Sequence, residues 1–376
     1  MPWPADYGGV MDIYYRLLAL HRAGIRVILH CFTYGRPRAP MVEACCERVY
    51  YYRRDMSWRK HLCREPFIVS SRDSDELFNR MFQDRYPLLI EGIHGCQLLS
   101  RLRQRESQGD GFHRTILVRA HNVEQDYYRR LARTERRPLR KLYLSLEASK
   151  LRRYEPVLKL ADGVLAITDA DAEFFRNMGC RQVTTMAPFF PVPRRNECVN
   201  DPTVKLPVEG PYVLYHGDLS VPDNEWSVRW LQSRVMRHSP YPFVVAGRGV
   251  RNALRRYLSH HANTYLVESP RARDMDALIE SARCTLLVTR QATGFKLKLI
   301  STLCRGQHCL VNPAMVAGTP LDSFCHVADT ASEMCRQLEV LMQTPFDDGQ
   351  KERRHDAMMR LLDDDARIEL LKKWLG

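Results

Sequence analysis

The sequence predicts an α/β protein of two domains, each built on a parallel sheet. Three observations carry this. Short apolar runs alternate with amphipathic helical stretches along the chain, a proline-rich polar segment divides that alternation near the middle, and both halves are long enough to bury a core. The 376 residues carry a formal net charge of +13, most of it in residues 1–190. A basic half suits a polyanionic partner such as nucleic acid, anionic lipid or a phosphate-bearing substrate. The twelve cysteines show no zinc-type CxxC pairing and no signal peptide opens the chain, so free thiols in a reducing cytosol are expected. No run approaches the roughly 18 apolar residues of a membrane span.

In the first half, Gly8-Gly9 leads into helical periodicity over residues 10–23, Gly24 suits its end, and residues 25–32 (IRVILHCF) form a buried strand. A Gly-Gly loop that opens a helix in such a domain normally follows a strand. None precedes this one, so the expectation is a first strand that lies upstream or is absent. Strands follow at 48–52, 87–91 (PLLIE) and 115–119 (TILVR), the last delivering the loop Ala120-His121-Asn122-Val123-Glu124. Residues 125–160 are helical and dense in arginine, 163–168 (GVLAIT) form a strand, and 169–178 a capped helix. The arginine-rich segment 129–153 admits two readings, a basic face docking on anionic lipid or a plain solvated helix, since Glu135 and Glu147 interrupt it.

The linker falls in FFPVPRRNECVNDPTVKLPVEGP, which is proline-rich and aperiodic. Beyond it come strands at 212–216, 243–246 and 264–267, helices from 225 and over 275–282, and a buried run at 284–289 (CTLLVT). A turn at 291–294 then opens a helix with Lys296 and Lys298 in its first turn, and 309–311 begins the next strand. Backbone N–H groups at a helix N-terminus lack intrahelical partners and carry partial positive charge. Two lysines there oppose the dipole unless an anion is bound, so phosphate suits the site. An ordinary βαβ unit with solvated lysines explains the same residues, and both readings stand. Residues 347–376 are helical without a strand.

Five motifs occur in order: PADYGG, AHNVE, YHGDLSVPDN, AGRG and TGFKLKLISTLCRG. With two Rossmann-like halves, the linker and the helical tail, they resemble the retaining family 4 nucleotide-sugar glycosyltransferases. The style is similar to a group from Bacteroidetes-type bacteria. The resemblance spans almost the whole chain and implies the GT-B fold, two Rossmann-like domains with parallel sheets facing a central cleft. It implies an acceptor-side domain over 1–190, a linker over 191–210, a donor-binding domain over 211–346, and C-terminal helices over 347–376 packing back on the N-terminal domain.

The resemblance also implies roles. Gly8 and Gly9 match a loop near the donor phosphates and acceptor, where glycine lets backbone approach closely. His121 matches the histidine beside the transferring sugar and is the candidate catalytic residue; without the family context it is a loop histidine satisfying local backbone. Glu124 orients that loop or caps the next helix. Gly217, Arg248, Thr293, Gly294, Phe295, Lys296, Leu297, Lys298 and Ser301 match the donor-binding wall. Two family glutamates eight positions apart are here Thr293 and Ser301, and a hydroxyl accepts ribose donors less strongly than a carboxylate. The usual basic pair for the diphosphate falls at Asp218 and Asp223, so Lys296 with Arg248 or Lys298 is expected to supply the lost charge.

The activity implied is transfer of a sugar from a nucleotide diphosphate sugar to a glycan or lipid-linked acceptor with retention, without metal or other cofactor. The implied location is cytoplasmic or peripheral on the inner face of the membrane, with an anionic membrane surface as a further partner. A non-catalytic nucleotide-sugar-binding relative is the alternative. Nucleic-acid binding is disfavoured because no recognition-helix, RRM or zinc pattern appears.

Overall fold

A computed structural model describes residues 1–4, 8–33, 35–110, 113–135, 137–190, 205–292 and 296–376. The chain divides into two compact units, Met1–Phe190 with Asp363–Gly376, and Pro191–Leu362. The expected linker lies mostly outside the described residues.

Among the described residues the first unit holds six parallel strands in two sheets. β1 (Ile28–Thr33) pairs with β2 (Arg48–Arg53), with Cys31 opposite Tyr51. β3 (Leu88–Glu91), β4 (Ile116–Ala120), β5 (Gly163–Ala166) and β6 (Val183–Thr185) pair in that order. β4 and β5 are buried along their whole length, which is why both are nearly continuous apolar runs. A single sheet was the simplest reading of the alternation, but no ladder joins β1 to β3 among the described residues. The helix Gly8–Arg22 packs the apolar face made by Val10, Tyr14 and Leu17. The helix Asp169–Met178 is capped by Thr168, whose hydroxyl accepts from the Asp171 amide at 3.1 Å.

The expected continuous helix over 125–160 is instead Glu124–Thr134, then Pro138–Tyr154, then a 3-10 turn Glu155–Leu160. Pro138 explains the break. It has no N–H to donate back and takes the first helical position, where that group is not needed.

Among its described residues the second unit is built on one six-stranded parallel sheet. Its strands are β7 (Val213–His216), β8 (Phe243–Gly247), β9 (Thr264–Glu268), β10 (Cys284–Leu287), β11 (His308–Val311) and β12 (His326–Val327). Their order is β12-β11-β10-β7-β8-β9. Strand order therefore reverses between β7 and β10, the position in an open α/β sheet where loops at the strand C-termini diverge and leave a crevice.

The C-terminal helices divide between the units, which corrects the expectation that all of 347–376 packs on the first. The helix Asp348–Leu361 belongs to the second unit, where Arg354 donates to the Gln307 carbonyl at 2.6 Å and also bonds the Gly306 carbonyl. Only Asp364–Leu375 joins the first unit, burying Ile368 and Leu371 among Leu20, Leu117 and Leu165. Trp374 lies over Gly163, where a Cβ would stand 2.3 Å from the indole. Gly163→Ala is therefore expected to cost about 1–3 kcal/mol by overpacking and to loosen the last helix. Chemical denaturation and limited proteolysis of the C-terminus measure this.

Candidate functional site

In the first unit the candidate centre grows from a buried charge network at the C-terminal end of β4. Arg119 and Asp12 are fully buried, Arg16 nearly so, and Glu91 closes β3. Asp12 Oδ2 accepts from Arg119 Nε at 2.9 Å and Arg16 Nη1 at 3.3 Å, and Oδ1 accepts from the Phe189 amide at 2.7 Å. Arg119 also donates to the carbonyls of Ala166 (3.2 Å) and Met186 (2.8 Å), and Arg16 reaches Glu91. Burial pushes the Asp12 carboxyl up, but Arg119 and Arg16 more than offset it, leaving it well below the usual range. Glu91 is likewise lowered, burial opposing and Arg16 and His121 prevailing.

His121 follows β4 directly, with a carboxylate towards each ring nitrogen. Nε2 lies 3.2 Å from Glu91 Oε2 and Nδ1 3.8 Å from Asp12 Oδ2. Nδ1 is buried without a hydrogen-bond partner among the described residues. Next to it, burial raises the carboxyl of Glu124, which bonds Asn122 and starts the helix Glu124–Thr134. Glu155 accepts from the Gln125 amide (2.9 Å) and side chain (2.7 Å), and burial pushes its carboxyl up to about 7. The loop bearing His121 is thus anchored at both ends.

Gly8 and Gly9 are the first two residues of the helix Gly8–Arg22, Gly8 exposed and Gly9 partly so. Asp12 and Arg16 stand on that same helix, and sequence reasoning missed both along with Glu91 and Arg119. The signal was present: an arginine near the end of an apolar strand, and an i,i+4 Asp–Arg pair on the buried face of an amphipathic helix.

In the second unit the site residues gather at the strand-order reversal. Gly217 follows β7 and Gly247 ends β8, and a Cβ on Gly247 would stand 1.9 Å from the Gly217 carbonyl oxygen. No side chain fits there. The two turns also bond through Gly217 N to Ala246 O (3.1 Å) and Leu219 N to Arg248 O (2.8 Å). Arg248 Nε donates to Asp218 Oδ2 at 3.0 Å. Burial pushes the Asp218 carboxyl up, but Ser220 and Arg248 leave it below the ordinary value.

Lys296 is the N-cap of the helix Leu297–Arg305, so of the two lysines only Lys298 stands in its first turn. Lys298 turns towards β7, donating to Tyr215 Oη at 3.2 Å and Asn224 Oδ1 at 2.9 Å. Burial lowers its pKa to about 8. Asp223 is buried and neutralised locally, accepting from Thr289 Oγ1 (2.6 Å) and Arg290 Nε (3.1 Å). Asp218 and Asp223, which fall where the resemblance implies a basic pair, are matched within the fold by Arg248 and Arg290. Arg290, stacked 4.6 Å over Trp226, was missed; it is the first charge after a buried strand. Ser301 is partly buried on the helix Leu297–Arg305. Thr293, Gly294 and Phe295 lie outside the described residues. Among the described residues no cluster of ligating side chains suits a metal, and no helix is long and apolar enough to cross a membrane.

No protein-family model matches the chain, and no curated protein matches its sequence. Solved structures do. The chain is similar to a UDP-forming α,α-trehalose-phosphate synthase from Burkholderia xenovorans determined with glucose-6-phosphate, with a TM-score of 0.64 and 12% identity over 100% of this chain and 98% of that one. It is similar to the sucrose-phosphate synthase of Thermosynechococcus elongatus, with a TM-score of 0.63 and 15% identity over 98% of this chain and 94% of that one. The fold is GT-B. A trehalose-6-phosphate synthase studied for glycosyl transfer with retention also matches, at a TM-score of 0.59 and 10% identity, covering 96% of each chain. GT-B architecture thus extends over both units here at identities that carry little side-chain information.

Two predictions follow from this geometry. Arg119→Met leaves Asp12 buried without its main partner and should cost about 3–5 kcal/mol, whereas adding Asp12→Asn should recover part of the loss. Urea denaturation of the two single variants and the double variant measures the coupling. His216 is buried against Thr302 Oγ1 at 2.8 Å, and burial lowers its pKa to about 3. The unfolded chain takes up that proton near pH 6.5, so this contribution is complete above that pH. It declines as pH falls towards 3, by up to about 1.4 kcal/mol per pH unit. His216→Gln should flatten the acid limb of stability against pH by up to that slope.

Proposed function

We propose that the protein transfers a sugar from a nucleotide diphosphate sugar to a glycan or lipid-linked acceptor, retaining anomeric configuration. One observation carries the reading. At the strand-order reversal of the second unit, backbone turns in contact at Gly217 and Gly247 stand beside a helix N-terminus with Lys296 as its cap and Lys298 in its first turn. The amides that open a helix suit a diphosphate because they lack intrahelical partners, and the glycines at 217 and 247 keep side chains out of the space beside them. The names of the similar structures, UDP-forming trehalose-phosphate synthase and sucrose-phosphate synthase, support a nucleotide-sugar donor. The family 4 and Bacteroidetes-type likeness rests on the order of motifs.

In this reading the leaving diphosphate needs the most help. The amides opening the helix Leu297–Arg305 stabilise its charge, with Lys296 beside them. Lys298 holds the turn as a half-buried cation on Tyr215 and Asn224, and acts on the phosphates electrostatically from there. Gly217, Arg248, Leu297 and Ser301 form the rest of the wall, with Thr293, Gly294 and Phe295 in the turn before it. In the first unit His121 positions the sugar. Glu91 holds its ring through Nε2, the Asp12 carboxylate lies 3.8 Å from Nδ1, and Gly8 and Gly9 bring backbone to the acceptor side. No metal takes part, so EDTA should leave turnover unchanged. A lipid-linked acceptor would hold the enzyme at an anionic membrane surface.

Calorimetry with UDP, GDP and ADP tests the donor site. One nucleoside diphosphate should bind, and its affinity should fall as pH rises through about 8, where Lys298 loses its proton. Lys298→Met should remove that pH step and weaken binding roughly tenfold or more, as expected for loss of a charged partner. Affinity for all three nucleotides at the level of inorganic phosphate would overturn the reading. Binding without turnover on any donor sugar would leave a nucleotide-sugar-binding protein.

A further inference from the structure

The helix Pro138–Tyr154 is apolar on two sides. Leu144, Ala148 and Leu151 are buried in the first unit, while Leu139, Leu142, Tyr143 and Leu146 are exposed. Those four recur at intervals of three and four residues, so they form one stripe along the helix. Leu139 is 82% exposed, Leu142 58% and Leu146 55%. A second exposed pair stands beside them, Trp58 at 68% and Leu62 at 75%, on and just after the turn Trp58–His61. The two elements are tied together. Tyr143 Oη lies 3.3 Å from His61 Nδ1, Lys150 Nζ donates to the His61 carbonyl at 2.7 Å, and Glu147 accepts from the Phe67 amide at 2.7 Å. The apolar ridge therefore stands on a fixed base.

Its charge is mainly positive, with the exposed carboxylates Asp55 and Glu65 at the edges of the turn segment. Residues 56–64 hold Arg59, Lys60 and Arg64, residues 137–146 hold Arg137, Arg140 and Lys141, and neither segment contains a carboxylate. All of these except Lys60 are exposed, with Arg140 also paired to Glu135 at 3.1 Å. Leucines this exposed and clustered mark an interaction surface. They offer neither the hydrogen bonds nor the stacking planes that nucleic acid requires. They do suit the boundary between headgroups and acyl chains, where aliphatic and Trp side chains enter and flanking cations meet lipid phosphates.

We propose that this ridge docks the protein on an anionic lipid bilayer, with Leu139, Leu142, Leu146, Trp58 and Leu62 entering the headgroup–acyl boundary. The inference deepens the reading above, since it supplies the surface at which a lipid-linked acceptor is met. Within the arginine-rich segment 129–153 it narrows the docking element to the helix Pro138–Tyr154, since in the preceding helix Arg129 is paired with Asp126 at 2.6 Å. The docking helix runs on into Glu155, which holds the Gln125 amide and side chain next to the His121 loop, so membrane contact and acceptor chemistry share one support.

Vesicle co-sedimentation of the full chain tests the proposal, using phosphatidylcholine alone or mixed with phosphatidylglycerol, at low and high salt. The protein should sediment with the anionic vesicles, stay in solution with the zwitterionic ones, and be released by salt. The triple variant Leu139→Ser, Leu142→Ser, Leu146→Ser should lose about tenfold or more in partition while keeping its melting temperature, since these side chains are exposed in the fold. Sedimentation of the triple variant equal to that of the parent would overturn the proposal, as would a parent that ignores anionic vesicles. Concentration-dependent self-association abolished by the same substitutions would assign the ridge to a second copy and likewise overturn it. Nucleotide calorimetry on the same samples separates the two readings. Vesicle binding without nucleotide binding sinks the donor site and leaves the docking surface, and the reverse outcome does the opposite.

Discussion

The first unit depends on one buried ion pair, Arg119 with Asp12. Arg119 is fully buried on a strand with apolar neighbours, a costly placement that its ion pair and carbonyl acceptors offset, while its Nη2 has no hydrogen-bond partner among the described residues. Asp12 comes from the helix Gly8–Arg22, and the other partners are carbonyls at Ala166 and Met186. One guanidinium thus joins the helix, the end of β5 and the segment after β6. Hydrophobic packing is non-directional and would accept a slid helix; this network accepts one register. The same register presents Glu91 and Asp12 to the two sides of His121. Fold and candidate centre are held by the same few bonds.

The second unit solves its placement problem with backbone. Gly217 and Gly247 touch so closely that neither turn can move without the other, and β7 and β8 deliver them to the same level. Lysine, arginine and carboxylate then pair locally: Arg248 with Asp218, Arg290 with Asp223, Lys298 with Tyr215 and Asn224. The acidic residues that look hostile to phosphate in the sequence are thereby spent within the fold. The positive character left at the turn comes from the helix amides and from the cations that frame them.

Much of the architecture was legible because parallel strands buried on both faces write themselves as short apolar runs between helical periods. The runs at PLLIE, TILVR, GVLAIT and CTLLVT all correspond to strands, and Thr168 heads its helix as its side-chain chemistry predicts. The split of the arginine-rich helical stretch was signalled by Pro138 but passed over, because helical periodicity on either side outweighed a single residue. The shares of the C-terminal helices could not be read at all. Both Asp348–Leu361 and Asp364–Leu375 mix charged and apolar residues without a sharp apolar face, and only contacts such as Arg354 with Gly306 and Trp374 with Gly163 separate them.

Fold class, the two-part organisation and the places of His121, Gly217 and Lys298 at strand ends and helix start were open to local reading, because periodicity, turn chemistry and strand ends are local properties of a chain. Tertiary structure alone decided which charges neutralise one another and which apolar side chains remain outside. Asp12 and Arg119 are 107 positions apart, and Lys298 lies 74 positions from Asn224. The leucines of Pro138–Tyr154 look alike in sequence whether they face the core or solvent. Pairing and exposure depend on distances between segments that no local pattern encodes.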